Sequence, residues 1–224
     1  MKIMILGAYG QLGQQICRLA AQQNWQLTAV AHKEHPTIAL GSATLLLKDV
    51  RKLTFNDVQG FDAVVDATGG WQPKTAPIIY QGLAKIVQLL NKSQTRYLKV
   101  GGANTLFINR DHSQQLQNLA SYYPAKFHFL CEAHQQALTL LRTYSAINWT
   151  YVTPPINFIS DGPATGHYQV TGEEFHANLR GDDGLNDYIS YADFAQGIID
   201  ILAKPQYLRQ QITLTSGNCP TNFK

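Results

Sequence analysis

The chain begins with a short apolar run that stops abruptly at glycine: "KIMIL" at 2–6, then "GAYGQLGQQI". A run this short and continuous, closed by glycine, reads as a strand buried on both faces. The segment that follows, "QLGQQICRLAAQQ", places Leu12, Ile16, Leu19 and Ala20 on one face of a helix. Gly7, Gly10 and Gly13 lie between strand and helix in GxxGxxG spacing. In such a turn the first glycine permits the tight reversal and the second lets backbone approach a ligand. The third lets helix and strand pack closely. The helix start then presents free N–H groups and a partial positive charge, which suits a pyrophosphate. A strand, a glycine triplet and an amphipathic helix in this order predict a dinucleotide site, with Tyr9, Gln11 and Leu12 completing the loop.

The same alternation continues. Strands are predicted at 26–31, 43–47, 62–68, 96–100, 149–152 and 211–216, and helices at 76–91, 128–144 and 191–204. Ser190 or Asp193 is the expected cap of the last helix. Strands alternating with helices predict an α/β Rossmann-type fold, a doubly wound parallel sheet with helices on both faces. Residues 156–190 are rich in Gly, Asp, Asn and Thr, with short strand-like pieces such as "HYQVTG", and predict a small irregular lobe over the substrate side of the sheet. The whole chain, 1–224, reads as a single domain.

Strand ends place further residues along the expected ligand. The second strand ends in "AVAHKEH", without the acidic residue that grips a ribose 2′-hydroxyl in NAD-selective sites. His32 and Lys33 stand there instead, and a basic pair favours the 2′-phosphate of NADP(H) over NAD(H). If both side chains are only solvated, either cofactor serves. Asp49 is placed to accept from the adenine amino group, with Val50 against its face, and Ala67, Thr68 and Gly69 fall near the ribose and pyrophosphate. Asp66, inside an apolar strand, reads as a hydrogen-bonded structural carboxylate rather than a catalytic one. His134, on the helical side of Leu138 and Leu141, reads as a core histidine.

With these pieces placed, the chain resembles the NmrA-like, atypical short-chain dehydrogenase group, and within it the NAD(P)H-flavin reductases. The resemblance runs nearly end to end, through "GAYGQLG" (7–13), "DAVVDATGG" (62–70), "YLKVGGANTLF" (97–107), "INWTYVTPPINF" (147–158), "ATGHYQV" (164–170) and "YISYADFAQGIIDIL" (188–202). It implies a bound nicotinamide dinucleotide and hydride transfer to a flavin or a similar flat, quinone-like acceptor. It also implies that Gly101, Gly102, Pro154, Pro155 and Ile156 border the nicotinamide, with Phe158 on the acceptor side. Trp71 is a second candidate for stacking on the acceptor.

"YYPAK" at 122–126 spells a Tyr-x-x-x-Lys proton-transfer pair, which requires Tyr and Lys one helical turn apart. Pro124 between them suits only a helix that begins there, which excludes Tyr122. With 11 Tyr and 11 Lys in 224 residues, about half a match is expected by chance. The pair therefore reads as an accident of composition, and no catalytic residue is assigned. A flavin acceptor fits that reading, because its reduced ring takes a proton readily from water whereas an alkoxide needs a placed acid. The alternatives are a regulator that senses the dinucleotide and performs no chemistry, and a carbonyl reductase or sugar-nucleotide epimerase that uses Tyr122 after all.

Charged residues make up only 15% and the net charge is +3, with no Lys/Arg run longer than two. This is too diffuse for nucleic acid. Cys17, Cys131 and Cys219 are few and scattered, which argues against a disulfide frame or a metal site. No segment has the length of a signal core or a membrane span. A cytoplasmic protein with a small-molecule partner is expected, its oligomeric state left open.

Overall fold

The computed structural model describes residues 1–175 and 187–217. Cys219 and part of the 156–190 segment lie outside these residues. Ten strands are described: β1 (Lys2–Leu6), β2 (Gln26–Ala31), β3 (Thr44–Leu47), β4 (Ala63–Asp66), β5 (Arg96–Val100), β6 (Asn148–Thr153), β7 (Asn157–Ile159), β8 (Gln169–Thr171), β9 (Tyr188–Ser190) and β10 (Gln210–Thr215). The helices are α1 (Gln11–Gln22), α2 (Phe55–Val58), α3 (Pro77–Leu89), α4 (His128–Arg142) and α5 (Tyr191–Ala203).

Eight strands form one sheet in the order β3-β2-β1-β4-β5-β6-β10-β8. Seven run parallel, which requires crossovers and so places helices on both faces. The chain turns from β1 first to β2 and later to β4, so the strand order reverses between β1 and β4. That reversal opens a crevice at the C-terminal ends of the two strands, the position where open α/β sheets bind ligands.

The two faces carry separate cores. On one, α1 and α5 cover Ile3, Ile5, Ala29, Val65 and Leu98 with Ile16, Phe194 and Ile198. On the other, α3 and α4 cover Met4, Val64 and Tyr97 with Ile79, Leu83, Ile86, Leu138 and Leu141. Alternate residues of β1 and β4 thus enter opposite cores, which is why their sequences are apolar without interruption. Ser190 is the cap of α5, its Oγ accepting from the Asp193 N–H at 3.0 Å.

The sheet differs from an all-parallel one at a single edge. The "QVT" of the expected lobe joins it as β8, antiparallel to β10, with Val170 opposite Leu214. The rest of the described lobe includes a two-stranded sheet, β7 with β9. It is tied down by Asp193, whose carboxylate accepts from the Thr165 and Gly166 N–H groups, each at 2.8 Å, and from the Thr165 hydroxyl at 2.6 Å.

Candidate dinucleotide site

The glycine loop is built as its spacing demands. Gly7 has φ +77°, a left-handed conformation that side chains disfavour, and a Cβ there would stand 2.9 Å from the Ala67 carbonyl oxygen. At position 13 a Cβ would fall 2.3 Å from the Gly7 carbonyl oxygen. The loop is pinned to β2 by the Gly7 N–H donating to the Val30 carbonyl at 3.1 Å.

Helix α1 begins after Gly10 with no side-chain cap and no acidic residue in its first turn. The first N–H groups of a helix have no partner within it, so this positive pole is left for solvent or a bound anion. That uncapped start fits a pyrophosphate.

A cavity of about 470 Å³ opens beside the loop, within the size range of small-molecule sites. Gly7, Tyr9, Gly10, His32, Lys33, Asp49, Val50, Ala67, Thr68 and Gly69 all line it. Sequence reasoning did not name His35, Lys48, Arg51 and Lys74, which line it too and give the wall an excess of basic residues, two of them paired with carboxylates. Lys48 pairs with Asp57 at 2.6 Å. Arg51 grips Asp49 through both Nε and Nη2. The guanidinium holds the Asp49 carboxyl down at about 2, and the same carboxylate caps the turn that follows by accepting from the Arg51 N–H at 2.9 Å. His32 and Lys33 are exposed at the rim, and the His35 ring meets Tyr9 edge-on at 5.0 Å.

Other expected residues stand outside this wall. Gln11 is exposed, whereas Leu12 and Gly13 are buried at the root of α1. Gly101, Pro154 and Pro155 are buried, and Gly102 and Ile156 half-buried, at the ends of β5 and β6. The glycines there admit side chains from beneath: a Cβ at Gly101 would stand 2.2 Å from the Tyr151 ring, and one at Gly102 2.7 Å from the His134 ring. Those two rings are joined, His134 Nδ1 lying 3.1 Å from the Tyr151 hydroxyl. Burial and the nearby Lys99 charge push the His134 pKa down to about 3, so the ring is neutral. Phe158 packs against Tyr191 and Phe194 at 4.1 and 4.8 Å. Trp71 is 74% exposed, on the loop between Gly69 and Lys74.

Tyr122 and Lys126 are not brought together on a helix. Pro124 is extended, with φ −62° and ψ 158°, and the turn at Ala125–Phe127 starts only after it. Tyr122 is exposed and its ring meets Phe175. Lys126 lies over the Phe127 ring. The neighbouring Tyr123 points inward instead, packing against the cluster of Ala103, Leu106 and Leu116.

Asp66 is buried and hydrogen-bonded, but its ion-pair partner was not foreseen. Both Asp66 and Lys99 are completely buried and lie 3.0 Å apart. The Tyr97 hydroxyl also donates to Asp66, at 2.7 Å. A lone Lys inside "RYLKV" was the available signal.

The family model for NAD(P)H-binding matches residues 7–205. This chain belongs to the NAD(P)H-binding family. It is 32% identical over 216 residues to the uncharacterized protein YwnB of Bacillus subtilis (strain 168), covering 96% of this chain and 99% of YwnB. A crystal structure from Streptococcus pneumoniae TIGR4, described as that of a "putative NADH-flavin reductase", is 37% identical. It superimposes with a TM-score of 0.86, covering 96% of this chain and 99% of that one. A structure from Bacteroides thetaiotaomicron, described as a "putative epimerase", is 25% identical with a TM-score of 0.78, covering 96% of each chain. Membership of this family supports a nicotinamide dinucleotide as the cofactor. Among the described residues no helix is long and apolar enough to cross a membrane.

Proposed function

We propose that this protein is an NAD(P)H-dependent oxidoreductase that passes hydride to a flavin or a similar flat acceptor, with NADPH preferred. The observation that carries the reading is the combination of an uncapped α1 and basic cavity wall with a Tyr122/Lys126 pair broken by Pro124. The bound dinucleotide supplies the hydride. The α1 N-terminus would hold its pyrophosphate, Val50 and the Arg51-bound Asp49 would take its adenine, and His32 and Lys33 would serve a 2′-phosphate.

Hydride transfer to a flavin ring needs distance and a stacking surface more than a placed acid. The reduced ring then takes its proton from water, so the missing Tyr/Lys pair costs nothing. The name given to the pneumococcal relative agrees with this acceptor class. The same missing pair also favours a second reading, a module that senses the dinucleotide without turning it over.

Oxidation of NADPH and NADH by the purified protein, with excess FMN, separates the two. Consumption above the protein-free rate, faster with NADPH, supports the reductase. Binding without consumption supports the sensor.

A further inference from the structure

The buried charges beneath the cavity have a geometry that solubility and packing do not require. Asp66 ends β4 and Lys99 lies in the adjacent β5, where the two are paired in register. Neither side chain is exposed at all. Taking both ions out of water is costly, and a pair of well-packed apolar residues would often be as stable or more so. The surrounding layer of Val64, Leu83 and Ile79 could have been continued by such residues.

Apart from the Tyr97 hydroxyl on Asp66, the bonds of the pair converge on one residue. Lys99 Nζ donates to Asp66 Oδ1, to the Thr68 carbonyl at 2.9 Å and to the Thr68 hydroxyl at 3.2 Å. Asp66 Oδ1 in turn accepts from the Thr68 N–H at 2.9 Å and from its hydroxyl at 2.5 Å. Every polar group of Thr68 is thus engaged from below, while the residue itself forms part of the cavity wall. The preceding peptide abuts the glycine loop, since a Cβ on Gly7 would stand 3.1 Å from the Thr68 nitrogen. A shift of Thr68 would therefore displace the wall and the loop together.

We propose that Asp66 and Lys99 are positioning residues for dinucleotide binding. The ion pair locks the Ala67–Thr68–Gly69 turn in the shape that receives the ligand. This rests on dinucleotide binding by the family and is independent of which acceptor is reduced.

The test measures NADPH dissociation constants alongside thermal midpoints, with no need for turnover. The double variant Asp66→Leu/Lys99→Met, made in a Tyr97→Phe background so that the buried hydroxyl bonded to Asp66 is not left without an acceptor, removes both charges and leaves neither ion unpaired. It is expected to keep a midpoint close to that of the parent while binding NADPH about tenfold more weakly. Thr68→Val, which removes only the shared hydroxyl, is expected to weaken binding about threefold, and Thr68→Ser to retain parental affinity. If the double variant folds and binds like the parent, the inference is overturned. Should it not fold, equal binding by the Val and Ser variants overturns it instead. Failure of the parent to bind NADPH would sink the cofactor reading itself, a result distinct from either.

Discussion

A side chain at position 13 would collide with the carbonyl oxygen of Gly7: the first carbon added to Gly13 falls 2.3 Å from that atom. The contact is backbone, so no rotamer relieves it, and the first turn of α1 has to move away from β1. Gly13→Ala should cost about 1–3 kcal/mol of stability, the range for overpacking a well-filled site. It should also weaken dinucleotide binding, because the shifted helix carries the anion cradle with it. Denaturant titration and dinucleotide binding on the same variant check both effects. Unchanged binding in a folded variant would argue against α1 as the cradle.

Lys33 bears on cofactor choice. It is exposed at the cavity rim and paired with no carboxylate among the described residues. Lys33→Ala should raise the KM for NADPH about tenfold, equivalent to about 1.4 kcal/mol, and leave the KM for NADH nearly unchanged. The NADPH effect should shrink at high salt, as for any exposed charge. Equal losses for both cofactors would assign Lys33 to a part of the dinucleotide that the two share.

Tyr122 and Lys126 should be dispensable. With Pro124 extended between them, their side chains diverge, one toward Phe175 and the other over Phe127. Tyr122→Phe and Lys126→Ala should each leave kcat with FMN within about twofold, whereas loss of a true general acid costs about 10²–10⁴.

Asp187 gives the protein a pH signature. It is 4% exposed, and burial raises its carboxyl to about 7, opposed among the described residues by the Ile156 N–H that donates to it at 2.9 Å. Unfolded, the same group titrates near ~3.9. Between these values the folded chain binds the proton and the unfolded chain does not. The group's contribution to stability is thus present in acid and is lost as pH rises toward about 7. His134 works in the opposite sense, its lowered pKa costing stability as pH falls below the usual imidazole range. Asp187→Asn isolates the first effect: the thermal midpoint of the variant minus that of the parent should climb from pH ~4 to ~7 and then level. A flat difference would mean that Asp187 is an ordinary, ionised carboxylate in the folded state.

The main architecture was legible because its strands are short apolar runs stopped by glycine or proline, and parallel strands buried on both faces read that way. "QVT" at the sheet edge carries one apolar residue in three, so its pairing with β10 is set by tertiary register and leaves no local trace. One wall of the cavity was legible at the strand ends, where Gly7, His32 and Val50 fall in order. Arg51 and Lys74 were not, since each reaches the cavity from a turn whose direction depends on the fold. Lys99 shows the limit most plainly. It is two residues from Tyr97 and so shares its face, but only the β4–β5 register places Asp66 beside it. Gly101 and Gly102 were visible, and the reason expected for them was incomplete. They border strand ends where the rings of Tyr151 and His134 fill the space a Cβ would take.

The most direct test of the central claim is rapid anaerobic mixing of the protein with FMN and NADPH, following the flavin absorbance through a single turnover. The account predicts flavin reduction that saturates with NADPH concentration and slows when deuterium replaces the transferred hydrogen of the cofactor. It predicts the same behaviour for the Tyr122→Phe variant. Flavin reduction no faster than in the protein-free mixture, in a sample shown to bind NADPH, would contradict it and leave a dinucleotide sensor as the better description.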